Sequence, residues 1–105
     1  MSIDFLIGRE SSCGYAMVGQ SSSVRTVRCS AVSINSIVTV DGKQNSGEIG
    51  FSLSRVGATE TFAIEFVSKN YQQWVLIAGR TGQAIFLDSE DDVQTAFKQM
   101  RLEGA

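Results

Sequence analysis

Gln72-Gln73-Trp74-Val75-Leu76-Ile77-Ala78, then Gly79-Arg80-Thr81-Gly82, then Gln83 to Leu87 read as two strands joined by a short loop, and Ser89 to Gly104 as one closing helix. Trp74, Leu76 and Ala78 point to one side of the first strand and Val75 and Ile77 to the other, so the strand is apolar on both faces and expects cover on both. The glycines at 79 and 82 suit a short hairpin loop. Beyond Leu87 the apolar period lengthens from two to three and four. Ser89 stands as an N-cap, Glu90, Asp91 and Asp92 place negative charge in the first turn, and Asp92 occupies the capping-box position. Val93, Ala96, Phe97 and Met100 form one stripe, and Gly104 ends the helix. The stripe is narrow and Gln94, Lys98 and Arg101 make the opposite face polar. Such a helix caps a core and does not form one, so the core must come from strands.

Upstream the period is two. Ile3, Phe5 and Ile7 give a first strand, Gly8 to Gly14 a loop, and Tyr15 to Val18 a short return. Val24 to Val32 leaves its inward face open, with Val27, Cys29 and Ala31 on one side and Val24, Thr26, Arg28, Ser30 and Val32 on the other. Ile34, Ser36, Val38 and Val40 continue as strand until Asp41-Gly42, the strongest hairpin signal in the chain. Ile49, Phe51 and Leu53 alternate with small residues, and Phe62, Ile64 and Phe66 give the clearest alternation of all. Seven or eight antiparallel strands on short connections, closed by one helix, predict an α+β fold: a curved meander or a partial barrel.

The 105 residues make one domain, 1–105, large enough for a core without metal or disulfide staples. Nine basic against eleven acidic residues leave a net charge of −2, which gives no general pull toward nucleic acid or anionic membrane. Segment 11–40 nevertheless holds Arg25 and Arg28 and no acid. The chain has two cysteines, Cys13 and Cys29, outside any CxxC spacing; they read as reduced thiols, with Cys13 in a loop of small residues. Met1 to Gly8 is too short and too soon interrupted by charge for a signal peptide, and no apolar run approaches the ~20 residues of a membrane helix. A cytoplasmic protein is expected.

With no histidine in the chain, Ser-His and Cys-His nucleophile pairs and His-containing metal sites are excluded. Asp88 to Asp92 lacks the spacing and glycine of a calcium loop and reads as helix-capping charge. No phosphate loop or dinucleotide fingerprint is present. No enzyme activity, cofactor or metal is expected. Tyr71 and Trp74 could stack a ring while Arg25, Arg28, Arg55 and Arg80 hold phosphates around it, the combination single-strand binders use. The competing reading places Trp74 in the core and the arginines on solvated surface.

Phe62 to Met100, strands followed by one helix after Ile85-Phe86-Leu87-Asp88-Ser89, resembles the last third of pleckstrin-homology-like domains, without the tryptophan those domains usually carry in the helix. Trp74-Val75-Leu76, Gly82, Phe86 and Asp88 before a short helix is similar to C-terminal segments of small accessory proteins encoded on plasmids and other mobile elements. Each resemblance covers a third of the chain or less.

These residues lead to the expectation of a non-catalytic binding or adaptor module that works through a sheet face or edge strand and self-associates as a homodimer. The alternatives are a β-sheet binder of single-stranded nucleic acid and a small-molecule-binding barrel. A protein partner is expected ahead of nucleic acid, and no membrane.

Overall fold

The computed structural model describes residues 2–8, 12–16, 25–28, 32–54 and 58–102. They form β1 (Ser2–Ile7), β2 (Ser12–Ala16), β3 (Arg25–Arg28), β4 (Ser33–Thr39), β5 (Gly42–Gln44), β6 (Gly47–Ser52), β7 (Phe62–Ser68), β8 (Tyr71–Ile77), β9 (Ala84–Leu87) and α1 (Glu90–Leu102). All the strand pairs are antiparallel and the one helix follows them, so the α+β class holds. The strands divide into two sheets, however, in the orders β3-β2-β1-β6 and β5-β4-β7-β8-β9, and neither closes into a barrel. Among the described residues no helix is long and apolar enough to cross a membrane.

The division turns on β6. A single meander would run β5, β6, β7 side by side, but β6 leaves the second sheet and pairs with β1, setting Phe51 against Ile3 and Ile49 against Phe5. One apolar face on each of these strands is then free to stack on the other sheet. Phe51 lies parallel to Phe62 of β7, ring centroids 4.1 Å apart, and Phe5 meets both rings at 6.1 and 5.6 Å. These three rings, with Ile7, Ile34, Ile37 and Ile64, make the core between the sheets.

The second core lies on the other face of the five-stranded sheet, where Val93 and Phe97 of α1 pack with Val38, Ala63, Trp74 and Leu76. Trp74 and Leu76 of β8 are thus covered by α1, while on its other face Ile77 packs against the core between the sheets. The Asp92 N–H donates to Ser89 Oγ at 3.2 Å, so Ser89 caps the helix as expected.

Three local readings change. The alternation of Ile34, Ser36, Val38 and Val40 breaks at a bulge: Ile34 pairs with Phe66 and Ser36 with Glu65, so Asn35 is the extra residue. That extra residue puts Ile34 and Ile37 on one face and Ser36 and Val38 on the other. The β4–β5 hairpin forms where Asp41-Gly42 announced one, but its loop is Val40-Asp41, and Gly42 opens β5 with a φ of 141° that favours glycine. Lastly, β2 reaches back to Ser12, so Cys13 lies in a strand between Phe5 and Val27 and not in a loop. Cys29 and the whole Met17 to Val24 stretch lie outside the described residues.

Candidate functional site

Among the described residues, those singled out by sequence do not gather on one face. Period two sends Tyr71 and Trp74, three apart on β8, to opposite faces. Trp74 is 1% exposed in the helix-side core, so the reading of its ring as a stacking platform is corrected: the face it shares with Leu76 is covered by α1. Tyr71 is 57% exposed, and its hydroxyl donates to Gln73 Oε1 at 2.6 Å. Arg25 and Arg28 belong to β3, an edge of the other sheet, and Arg55 lies outside the described residues. Arg80 sits in the β8–β9 loop, at the other end of β8 from Tyr71, beside a surface cleft of about 370 Å³ lined in part by Thr61, Gln83, Ile85 and Met100. Tyr71, Trp74 and Arg80 thus lie apart: on opposite faces of β8 and beyond its far end.

What the sequence reading missed on the helix side is a polar cluster built on Glu65. This side chain is 6% exposed on the central strand β7. The bulge aims Asn35 Nδ2 at Glu65 Oε1 (2.7 Å), Ser36 Oγ donates to the same oxygen (2.9 Å), and Gln72 Nε2 donates to Oε2. Burial pushes the Glu65 carboxyl up, but these three donors and the charge of Lys43 outweigh it and hold the carboxyl below its ordinary range. Lys43 Nζ itself stands 2.6 Å from Glu90 Oε1 and 6.0 Å from the centroid of the Trp74 ring, and its hydrogen bond to Glu90 raises its pKa. Both Glu65 oxygens accept hydrogen bonds, so the cluster ties β4, β7 and β8 together. The one sequence signal for it is Glu65 itself, a lone charge inside the most regular alternating strand.

The uncovered surface lies on the far side of β8 and β9. A cross-strand row runs Ile37, Ile64, Val75, Phe86 over the face that meets the four-stranded sheet. Ile37 and Ile64 are buried, Val75 is half-buried and Phe86 is 70% exposed. Exposure climbs because the four-stranded sheet stacks over β4 and β7 and stops short of β9. Tyr71 and Gln73 continue the same face, and Gln73 Nε2 reaches Leu87 O at 2.9 Å, bracing the end of β9.

The outer edge of β9 is open as well. Ala78 N donates to Gln83 O at 2.9 Å, which makes 78/83 a bonded pair. Bonded pairs alternate along an antiparallel ladder, so 76/85 and 74/87 are bonded and the backbone groups of Ala84 and Phe86 point away from β8. They have no partner strand among the described residues. Phe86 thus combines an exposed ring with exposed backbone donors and acceptors. Its sequence signal was the apolar strand Gln83 to Leu87, readable as a strand but not as an edge.

Comparison with protein-family models, with curated proteins and with solved structures yields no match, so function rests on this geometry.

Proposed function

We propose that this domain is a non-catalytic binding module that acts by contact through the β8–β9 end of its five-stranded sheet. The observation that carries the reading is Phe86, an aromatic side chain 70% exposed on an uncovered edge strand and continuous with Val75 beside it. Apolar patches of this kind on a folded surface mark contact sites. Edge backbone groups add a second means of capture, strand addition, in which main-chain bonds supply affinity and side-chain pockets supply specificity. A nucleic-acid platform finds less support, because its proposed tryptophan is buried and its described arginines are divided between β3 and the β8–β9 loop.

The test is capture of partners from cell lysate by the immobilised chain and by its Phe86→Asp variant, with and without nuclease and added salt. Capture that survives nuclease and high salt and is lost with Phe86→Asp supports the reading. Capture abolished by nuclease, or unchanged by the substitution, overturns it, since phosphate contacts weaken steeply with salt and apolar contacts do not.

A further inference from the structure

We infer that the occupant of the β9 edge is β9 of a second copy of this chain, paired antiparallel about a two-fold axis that passes between the two Ile85 residues. This rests on the reading of β8–β9 as the contact surface and names its partner.

The four sheet edges differ in how they are guarded. β3 carries Arg25 and Arg28, β6 carries Glu48, and β5 carries Lys43, whereas Ala84-Ile85-Phe86-Leu87 carries no charge and no proline. Charged and proline-bearing edges resist strand addition; an uncharged one accepts it. Among the described residues, β9 is the unguarded edge.

The edge is also its own complement. With the axis at Ile85, Ala84 of one copy stands opposite Phe86 of the other, and these are the residues whose N–H and C=O groups face outward. Each pair exchanges both bonds, so every outward group of the strand finds a partner. On the uncovered face the large Phe86 ring comes to lie beside the small Ala84 of the copy, with Val75 on its inner flank, so the pairing buries the ring without crowding. No like charges meet across the strands. On the opposite face α1 rides over β8 and β9, which places the two helices about two strand spacings apart, roughly 10 Å, within ordinary helix-packing distance. An axis normal to the sheet keeps both four-stranded sheets on one side, clear of the junction. Closed two-fold pairs are the commonest homo-oligomers, and one built mainly on a short strand falls in the small, weak class of interfaces.

The experiment is light scattering after size exclusion, over a wide dilution range, on the wild-type chain and on Ala84→Pro and Phe86→Asp, with circular-dichroism melts to establish that each is folded. The wild type is expected to pass from monomer to dimer mass as concentration rises. Both variants are expected to need about tenfold more protein or beyond, proline because it removes an outward donor and aspartate because it buries charge. A strictly monomeric wild type at high micromolar concentration overturns the second-copy assignment and leaves the binding-module reading to its own Phe86-dependent capture test. A dimer indifferent to both substitutions overturns the pairing through β9 and likewise leaves the binding-module reading to its capture test. Register is read separately by a spin label at Gln83→Cys in a Cys13→Ser, Cys29→Ser background: the axis at Ile85 sets the two labelled Cα atoms about 14 Å apart. A separation beyond about 30 Å in the dimer overturns the pairing even where a variant fails to fold.

Discussion

Asn35, the extra residue of the β4 bulge, donates its amide to the buried carboxylate of Glu65 on β7 at 2.7 Å. The bulge therefore does two jobs: it turns Ile34 and Ile37 onto one core, and it supplies a donor to the other face. Because its partners hold Glu65 below the ordinary carboxylate range, the stabilisation is present above the unfolded pKa and is lost as pH falls through the lower folded value. Melting temperature should hold from neutral pH down to about 5 and then drop as acid protonates the group. Glu65→Gln should remove much of that acid-sensitive component and cost about 1 to 3 kcal/mol at neutral pH, because its amide confronts donors with a donor. A pH series of thermal melts on both proteins measures this; parallel curves would remove Glu65 as their cause.

The helix depends on its cap and on one ring. Phe97 is buried against the Trp74 and Leu76 face, so Phe97→Ala should cost about 3 to 5 kcal/mol. Ser89→Ala loses the bond to the Asp92 N–H and should cost about 1 kcal/mol. Urea unfolding of the two variants gives both values, and a Phe97→Ala protein as stable as wild type would mean that α1 does not dock on this face.

Much of this was legible in the sequence because period and capping are local. Trp74-Val75-Leu76-Ile77 announced cover on both sides; α1 covers Trp74 and Leu76 fully, while the other face is covered only at Ile77 and leaves Val75 half-buried, and Ser89 with the stripe Val93, Ala96, Phe97, Met100 placed the helix and its buried face. What could not be read depends on pairing between distant strands. Nothing in Gly47 to Ser52 states that β6 pairs with β1 and not with its sequence neighbours, and that choice separates one meander from two stacked sheets. The bulge at Asn35 escaped for a related reason: one inserted residue is visible only against a partner strand. Phe86 was an ordinary apolar strand residue until the extent of the covering sheet was known.

Gly79 marks a close approach that no other residue fits. A Cβ there would lie 1.9 Å from Thr59 O and 2.6 Å from the carbonyl carbon of Glu60, and the Thr59 N–H already donates to Gly79 O at 2.9 Å. Both obstacles are backbone, which yields less easily than a side chain. Gly79→Ala should therefore push the segment before β7 away from the β8–β9 loop and cost at least about 1 to 3 kcal/mol. Thermal melting of the variant measures the cost, and hydrogen exchange at Thr59 locates it; an unchanged Thr59 amide would show that the loop absorbs the methyl elsewhere.

Trp74 sets two opposing effects against each other. Its ring fills the helix-side core, yet its Nε1–H is buried with no acceptor among the described residues. Trp74→Phe removes part of the ring, and since full truncation of such a residue to Ala costs about 3 to 5 kcal/mol, losing one ring of the two should cost about 1 to 2 kcal/mol. The same change removes a buried unpaired donor, whose desolvation is worth about 1 to 3 kcal/mol. The two nearly cancel, so Trp74→Phe should lie within about 1 kcal/mol of wild type, whereas Trp74→Ala, which keeps neither packing nor ring, should be among the most damaging core substitutions. The Lys43 ammonium, 6.0 Å from the Trp74 ring, can follow the smaller phenyl and retains its ion pair with Glu90. Urea unfolding of both variants decides it: a loss of more than about 2 kcal/mol for Trp74→Phe would mean that the indole N–H is hydrogen-bonded in solution.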